Sequence, residues 1–231
     1  VQTCALPISR LARPLRPLTM RTTVEAPMHA SNSHSDTDRA LLEGLPLRLV
    51  TPAELGLTLV PEETGTTFAE NAAIKARAYH RASGLPTLAE DSGIEVDALG
   101  GAPGVYSARW EGLPDGAEKN ALLLRRLVGV PEQQRSCRYV CHAVLIDRAG
   151  VEHHAEGELR GHVAHEARGA GGFGYDPVFY LPDYRCTVAE LPPAEKDRIS
   201  HRGQAVRALR VLIERALDAA PQASGRDRLP Q

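Results

Sequence analysis

The stretch Thr67–Val96 reads TFAENAAIKARAYHRASGLPTLAEDSGIEV, and its two halves follow different periods. Thr67-Phe68-Ala69-Glu70 has the S/T-x-x-E spacing of a capping box, in which a hydroxyl and a carboxylate each satisfy an amide at the start of a helix. Phe68, Ala72, Ala76 and Tyr79 then recur at helical spacing for a buried stripe, while Asn71 and Lys75, four apart, share another face. Gly84 and Pro86 stop this helix after about Ala82. Thr87–Ala89 leads into Glu90-Asp91-Ser92-Gly93, after which Ile94, Val96 and Ala98 alternate with Glu95 and Asp97 as in a half-buried strand.

Outward from this centre, Leu47, Leu49 and Val50 suggest a short strand, and Ala117–Val128 reads as a helix. Tyr139, Cys141, Ala143 and Leu145 alternate with Arg138 and His142 in a strand that ends at a hairpin turn, Asp147–Gly150. A last helix runs from near Ser200 to about Ala219, with Val206, Leu209, Leu212, Ile213, Ala216 and Leu217 toward the core. Helices and strands of this mix, in 231 residues, predict one α/β domain with a core of its own. That domain is expected over residues 45–220, followed by a disordered tail at 221–231.

The beginning differs. Residues 1–44 carry Pro7, Pro14, Pro17, Pro27, four basic residues from Arg10 to Arg21 and a polar run from His29 to Asp38, with no sustained period. An Arg-rich, acid-poor start suits an organellar transit peptide, although the prolines argue against its helix. Val1–Ser9 also resembles the in-frame translation of a common sequencing adapter. This segment is expected to be irregular or artefactual.

Lys plus Arg total 27 against 29 Asp plus Glu, so no overall basic field draws in nucleic acid or an anionic membrane. No apolar run approaches the ~20 residues that span a bilayer. A small-molecule partner and a cytoplasmic setting are expected. Cys4, Cys137, Cys141 and Cys186 contain no C-x-x-C pair and read as reduced thiols.

Four clusters carry chemistry. Glu62-Glu63-Thr64-Gly65 and Glu90-Asp91-Ser92-Gly93 hold adjacent carboxylates, which in a sheltered place shift a pKa or bind a hard cation such as Mg²⁺. Alone, such a pair is more often a solvated surface turn. Gly169–Pro177 sets Phe173 inside a glycine-rich loop, a pattern suited to stacking on a base, and equally to a tight turn before a core strand. Glu195-Lys196 and Ser200-His201-Arg202-Gly203 sit at a predicted helix start, where amides, His and Arg suit an oxygen-rich ligand; an ordinary Ser cap has the same look. Lys75, Lys119 and Lys196 are the only lysines, so ordinary solubilising charge here is Arg and each Lys stands out.

Taken in order, Glu62–Gly65 with Phe68, Glu70-Asn71-Ala72 and Lys75, then Glu90–Gly93, Leu99–Arg109, Gly171–Pro177 and Ile199–Gly203, resemble the inosine/xanthosine triphosphate pyrophosphatase family. The likeness covers about Leu45 to Leu217. It implies a homodimeric, two-lobed α/β protein with an elongated mixed sheet flanked by helices, cutting deaminated purine triphosphates (ITP, dITP, XTP) to monophosphate and pyrophosphate with Mg²⁺. Carried over, Asp91 is the general base and a metal ligand, with Glu62 and Glu90 at the metal. Ser92, Lys75, Phe173, Gly174, Tyr175, Asp176, Lys196, His201 and Arg202 meet the substrate, Phe173 stacking on the base and His201 with Arg202 reading its 6-oxo group.

The departure lies near the start. Family members begin with a hydrophobic strand and a T/S-x-N-x-x-K loop that grips phosphate; the nearest match is Ser31-Asn32-Ser33-His34-Ser35, which lacks the lysine. Asn32 alone carries over to substrate. Two other functions stay open: a nucleotide-binding homologue with weakened catalysis, and a related pyrophosphatase for other modified nucleotides.

Overall fold

The computed structural model describes residues 5–10 and 39–218 of the chain. Seven strands form one sheet in the order β2-β1-β3-β4-β5-β6-β7. They are β1 Ala5–Arg10, β2 Leu47–Leu49, β3 Thr87–Val96, β4 Ser136–Ile146, β5 Glu152–Val163, β6 Phe179–Leu181 and β7 Cys186–Thr187. Among the described residues the α-helices that accompany them include α1 Phe68–Ser83, α2 Ala117–Arg126, α3 Pro193–Ile199 and α4 His201–Asp218. The α/β class and the elongated, helix-flanked sheet are as the sequence implies. Every ladder between these strands is antiparallel, so a parallel component of the implied mixed sheet is not among the described residues.

The centre is built from β3, β4 and β5, long strands paired over most of their length. Asp147 caps the hairpin between β4 and β5 by accepting from the amides of Ala149 and Val151. Side chains alternate across the sheet, so each strand feeds both faces. Leu88 joins Cys141, Ala143, Leu145, Val206, Leu209 and Ile213 beneath α4. Ala89, Val144 and Ile146 meet Ala72, Ala76 and Tyr79 of α1 on the other side. Farther along, Ile94, Val96, Cys137, Tyr139 and Phe179 enter a separate cluster with Leu123 and Leu127 of α2. Between these cores, at residues 90–93, the apolar pattern of β3 stops and polar side chains take over.

α1 begins as its sequence demands: the Thr67 hydroxyl accepts from the Glu70 amide while the Glu70 carboxylate accepts from the Thr67 amide, and Gly84 ends the helix in the left-handed region. α4 starts just after Ser200, whose hydroxyl accepts from the Gly203 amide. Its first turn lies so close over β5 that a Cβ on Gly157 would collide with the His201 carbonyl, so glycine is what lets His201 and Arg202 reach the sheet.

Glu90-Asp91 lies in mid-strand, paired with Ala143 and His142, and is not the surface turn that such a pair alone would suggest. Two readings need correction. Ala98 falls in a 3-10 turn beyond β3. The N-terminal segment expected to be irregular contributes β1, whose residues 5–7 pair with β3 and 8–10 with β2. Without alternation, and with Pro7 lacking an amide proton, β1 carries no local strand signal; pairing partners supply its structure. Asn32 and the tail 221–231 lie outside the described residues.

Candidate active site

A cleft of about 620 Å³ opens where the polar segment of β3 meets α1, α4 and the 171–176 loop. Glu90, Asp91, Ser92, Lys75, Phe173, Gly174, Tyr175, Asp176, Lys196, His201 and Arg202 all line it, so most of the sequence-derived candidates converge. Glu62 is not among the lining residues.

At one end Asp91 faces α1. Its Oδ1 accepts from Lys75 Nζ at 2.7 Å and its Oδ2 from Asn71 Nδ2 at 3.3 Å. The four-residue spacing of Asn71 and Lys75 is what aims both at one carboxylate. Lys75 is also bound to Glu63 Oε1 at 2.9 Å, and Glu63 Oε2 takes Arg109 Nη1 at 2.8 Å. Two carboxylates and two cations thus form a chain, and the Lys75 ammonium is almost wholly buried in it.

The two acids respond in opposite directions. Burial raises the Asp91 pKa above the ordinary aspartate value, and the attraction of Lys75 only partly offsets it. Burial pushes the Glu63 pKa the same way, but hydrogen bonds and charge from Lys75 and Arg109 outweigh it and hold the value below the ordinary glutamate range. Lys75 gains enough from Asp91 and Glu63 to overcome its own desolvation and stay charged. A buried carboxylate with a raised pKa beside a fixed cation is chemically able to accept a proton.

Glu62 is exposed, and among the described residues no hydrogen bond or ion pair holds it. Glu63, not Glu62, meets Lys75 and Arg109, and neither carboxylate lines the cleft. The doublet gave no signal for choosing between them, since which carboxylate turns inward depends on Lys75 and Arg109 from elsewhere in the fold.

At the other end the partners belong to α4. Glu90 faces Arg202, whose Nε donates to Glu90 Oε1 and whose Nη2 donates to Ser92 Oγ at 3.2 Å. Cys141 Sγ lies 3.1 Å from Glu90 Oε2. Glu90 and Asp91 therefore have partners on different helices, as the alternation of a strand allows, while both line the cleft.

The glycine-rich loop is shaped by Asp176. Its Oδ2 accepts from the Phe173 amide at 2.8 Å and from Lys196 Nζ at 2.5 Å, and Tyr139 donates to Oδ1 at 3.1 Å. A Cβ on Gly172, at φ +74°, would strike that same carboxylate. Burial, then the Asp176 charge, raises the Tyr139 pKa far above normal, so the phenol remains a donor. Phe173 is 39% exposed, its ring 4.3 Å from Lys196 Nζ and 5.7 Å from Arg202 Cζ. His201 stacks on Tyr139 at 4.8 Å, and Tyr139 on Phe179 at 4.3 Å, a column that fixes the imidazole plane. Tyr175 is buried with its hydroxyl on the Ser107 carbonyl at 3.0 Å, which makes it a support of the wall.

The arrangement places an acid with a cation at one end of a cleft and an exposed ring beneath a Lys and an Arg at the other, with His201 also in the lining. Charged oxygens suit the first, a flat oxo-bearing base the second. Asp91 and Glu63 already converge on one cation, the Lys75 ammonium, and both offer hard oxygen donors. Among the described residues no group of three His, Cys, Asp or Glu converges. Mg²⁺ takes one or two carboxylates plus substrate phosphates, so the donor set fits it.

Residues 32–212 match the Ham1 family model, which leaves β1 outside the match. The dITP/XTP pyrophosphatase of Frankia alni is 53% identical over 161 residues, covering 67% of this chain and 80% of its own length. That of Xanthomonas oryzae is 51% identical over 174 residues, covering 74% and 87%. Among solved structures, a HAM1 protein from Coxiella burnetii superimposes with a TM-score of 0.72 at 39% identity, over 80% of this chain and 96% of that one. A nucleoside-triphosphatase / dITP/XTP pyrophosphatase from Mycobacterium abscessus gives 0.64 at 40% identity with the same coverage. The chain belongs to the Ham1 family.

Proposed function

We propose that this enzyme hydrolyses deaminated purine nucleoside triphosphates (ITP, dITP and XTP) to the monophosphate and pyrophosphate, clearing them from the nucleotide pool. The observation that carries this reading is the two-ended cleft, with Asp91 and Lys75 at one end and Phe173, Lys196, His201 and Arg202 at the other. The names of its relatives support it.

Asp91 accepts a proton from water, whose oxygen attacks the α-phosphorus as pyrophosphate leaves. Lys75 stands ready at the phosphates as a point charge. Asp91, with Glu62 or Glu63 beside it, would hold Mg²⁺, which would supply charge neutralisation on the triphosphate. Phe173 stacks on the base, and His201 with Arg202 donates to the 6-oxo oxygen. An adenine amino group there leaves those donors unpaired, which is the basis of rejection. Glu90 and Ser92 orient Arg202, and Asp176 orients Lys196 and the Phe173 amide.

A second reading, nucleotide binding with weakened turnover, is favoured by one observation: Ser31–Ser35 lacks the phosphate-gripping lysine. Pyrophosphate release with Mg²⁺ separates the two. ITP and XTP are expected to be turned over with higher kcat/KM than GTP or UTP; ITP binding without release supports the second reading, and preference for GTP or UTP removes the specificity. We also read the enzyme as a cytoplasmic homodimer with no nucleic-acid partner. No helix among the described residues is long and apolar enough to cross a membrane; sedimentation at micromolar concentration tests the dimer.

A further inference from the structure

Lys119 is the one lysine that the site does not use. It is 1% exposed in the first turn of α2, and its ammonium donates to the Ser107 carbonyl at 3.1 Å, the Ala108 carbonyl at 2.6 Å and Asp115 Oδ1 at 2.6 Å. Burying an ammonium is costly unless such partners surround it. Those carbonyls belong to Gly104–Gly112, the segment that sends Arg109 to Glu63 and presents the Ser107 hydroxyl to the Ile94 amide on β3.

The next residue, Asn120, is also buried. Its Nδ2 donates to the Gly174 carbonyl at 3.1 Å, in the loop that carries Phe173. Its Oδ1 has no partner among the described residues. A buried amide with half its capacity unused costs stability that an apolar side chain would not, so packing does not explain it. The bond to Gly174 does.

Two consecutive residues therefore hold two separate segments of the cleft lining, Ser107-Ala108 and the loop at Gly174. The segments also meet directly, where the Tyr175 hydroxyl shares the Ser107 carbonyl with Lys119. Neither Lys119 nor Asn120 lines the cleft, so neither touches what binds there.

We propose that Lys119 and Asn120 are positioning residues, a strut that sets how the Ser107-Ala108 segment and the Phe173–Gly174 loop sit against each other. The proposal rests on the nucleotide reading only for its kinetic consequence. With the strut intact the base slot is preformed; with one arm removed, binding must supply the ordering. The loss falls on affinity, not on the chemical step.

The experiment is amide hydrogen exchange on the full chain, parent against Asn120→Asp, Asn120→Ala and Lys119→Met, with ITP kinetics alongside. Asn120→Asp keeps the shape and removes the donor; Asn120→Ala covers the case in which the acid fails to fold. Exchange is expected to accelerate about tenfold or more at 169–176 in the Asn120 variants and at 104–112 in Lys119→Met, with β3–β5 unchanged. KM for ITP is expected to rise about tenfold in the Asn120 variants with kcat within threefold. Parental exchange in both segments, or acceleration spread evenly through the sheet, overturns the strut. If the parent releases no pyrophosphate from ITP, the functional reading falls while the exchange pattern still decides the strut.

Discussion

Glu90 and Asp91 are neighbours in the chain and belong to different halves of the site. Asp91 turns to α1, where Lys75 and Asn71 hold it in a chain with Glu63 and Arg109; Glu90 turns to α4, where it meets Arg202 beside Ser92. A β-strand reverses side with every residue, so one acidic dipeptide serves two ends of the cleft, which the proposed function assigns to phosphates and base. The difference teaches that proximity in sequence is a poor guide to shared function within a strand.

The largest effect that sharpens this contrast is at Asp91. Asp91→Asn is expected to lower pyrophosphate release from ITP by about 10²–10⁴-fold, the range of general-base catalysis, while equilibrium ITP binding holds within a few-fold. Near-normal turnover in that variant breaks the assignment.

Stability separates the halves next. Lys75→Met leaves Asp91 and Glu63 buried without their shared cation, a change expected to cost about 3–5 kcal/mol in urea unfolding. Asn71→Ala, which removes one bond to Asp91 and one to the Gly65 amide, is expected to cost about 1–3 kcal/mol. An equal cost from both variants contradicts the weight placed on the Lys75 ammonium.

In metal-free buffer, pH distinguishes the two acids of the phosphate end. Glu63, with a lowered folded pKa, contributes stability that is present above the ordinary glutamate range and lost as pH falls through its folded value. Asp91, with a raised folded pKa, favours folding at low pH, and that contribution is lost as pH rises through its folded value. Unfolding curves against pH are expected to flatten on the acid side in Glu63→Gln and to lose the opposing slope in Asp91→Asn. The same slope change in both contradicts the opposite shifts.

Much of this was legible in the residues. The Thr67–Glu70 cap and the Phe68, Ala72, Ala76, Tyr79 stripe gave α1 because capping and periodicity are local. The alternation from Tyr139 to Leu145 gave β4 for the same reason. The cleft's membership was readable only through the family likeness, since Asp91, Phe173 and Arg202 are brought together by the fold. What stayed hidden depended on tertiary partners: the choice of Glu63 over Glu62, the turning of Glu90 toward α4, the buried support from Tyr175, and the strut at Lys119 and Asn120. β1 was missed because Pro7 and the lack of alternation leave no local strand signal.

The division along β3 is tested most directly by Glu90→Gln, assayed for kcat and kcat/KM with ITP and with ATP, whose base carries a 6-amino group in place of the 6-oxo. A base-end role predicts that the ITP-to-ATP ratio of kcat/KM narrows by about tenfold, ~1.4 kcal/mol, while kcat on ITP stays within threefold. Collapse of kcat with the ratio intact would instead place Glu90 at the metal and contradict the account.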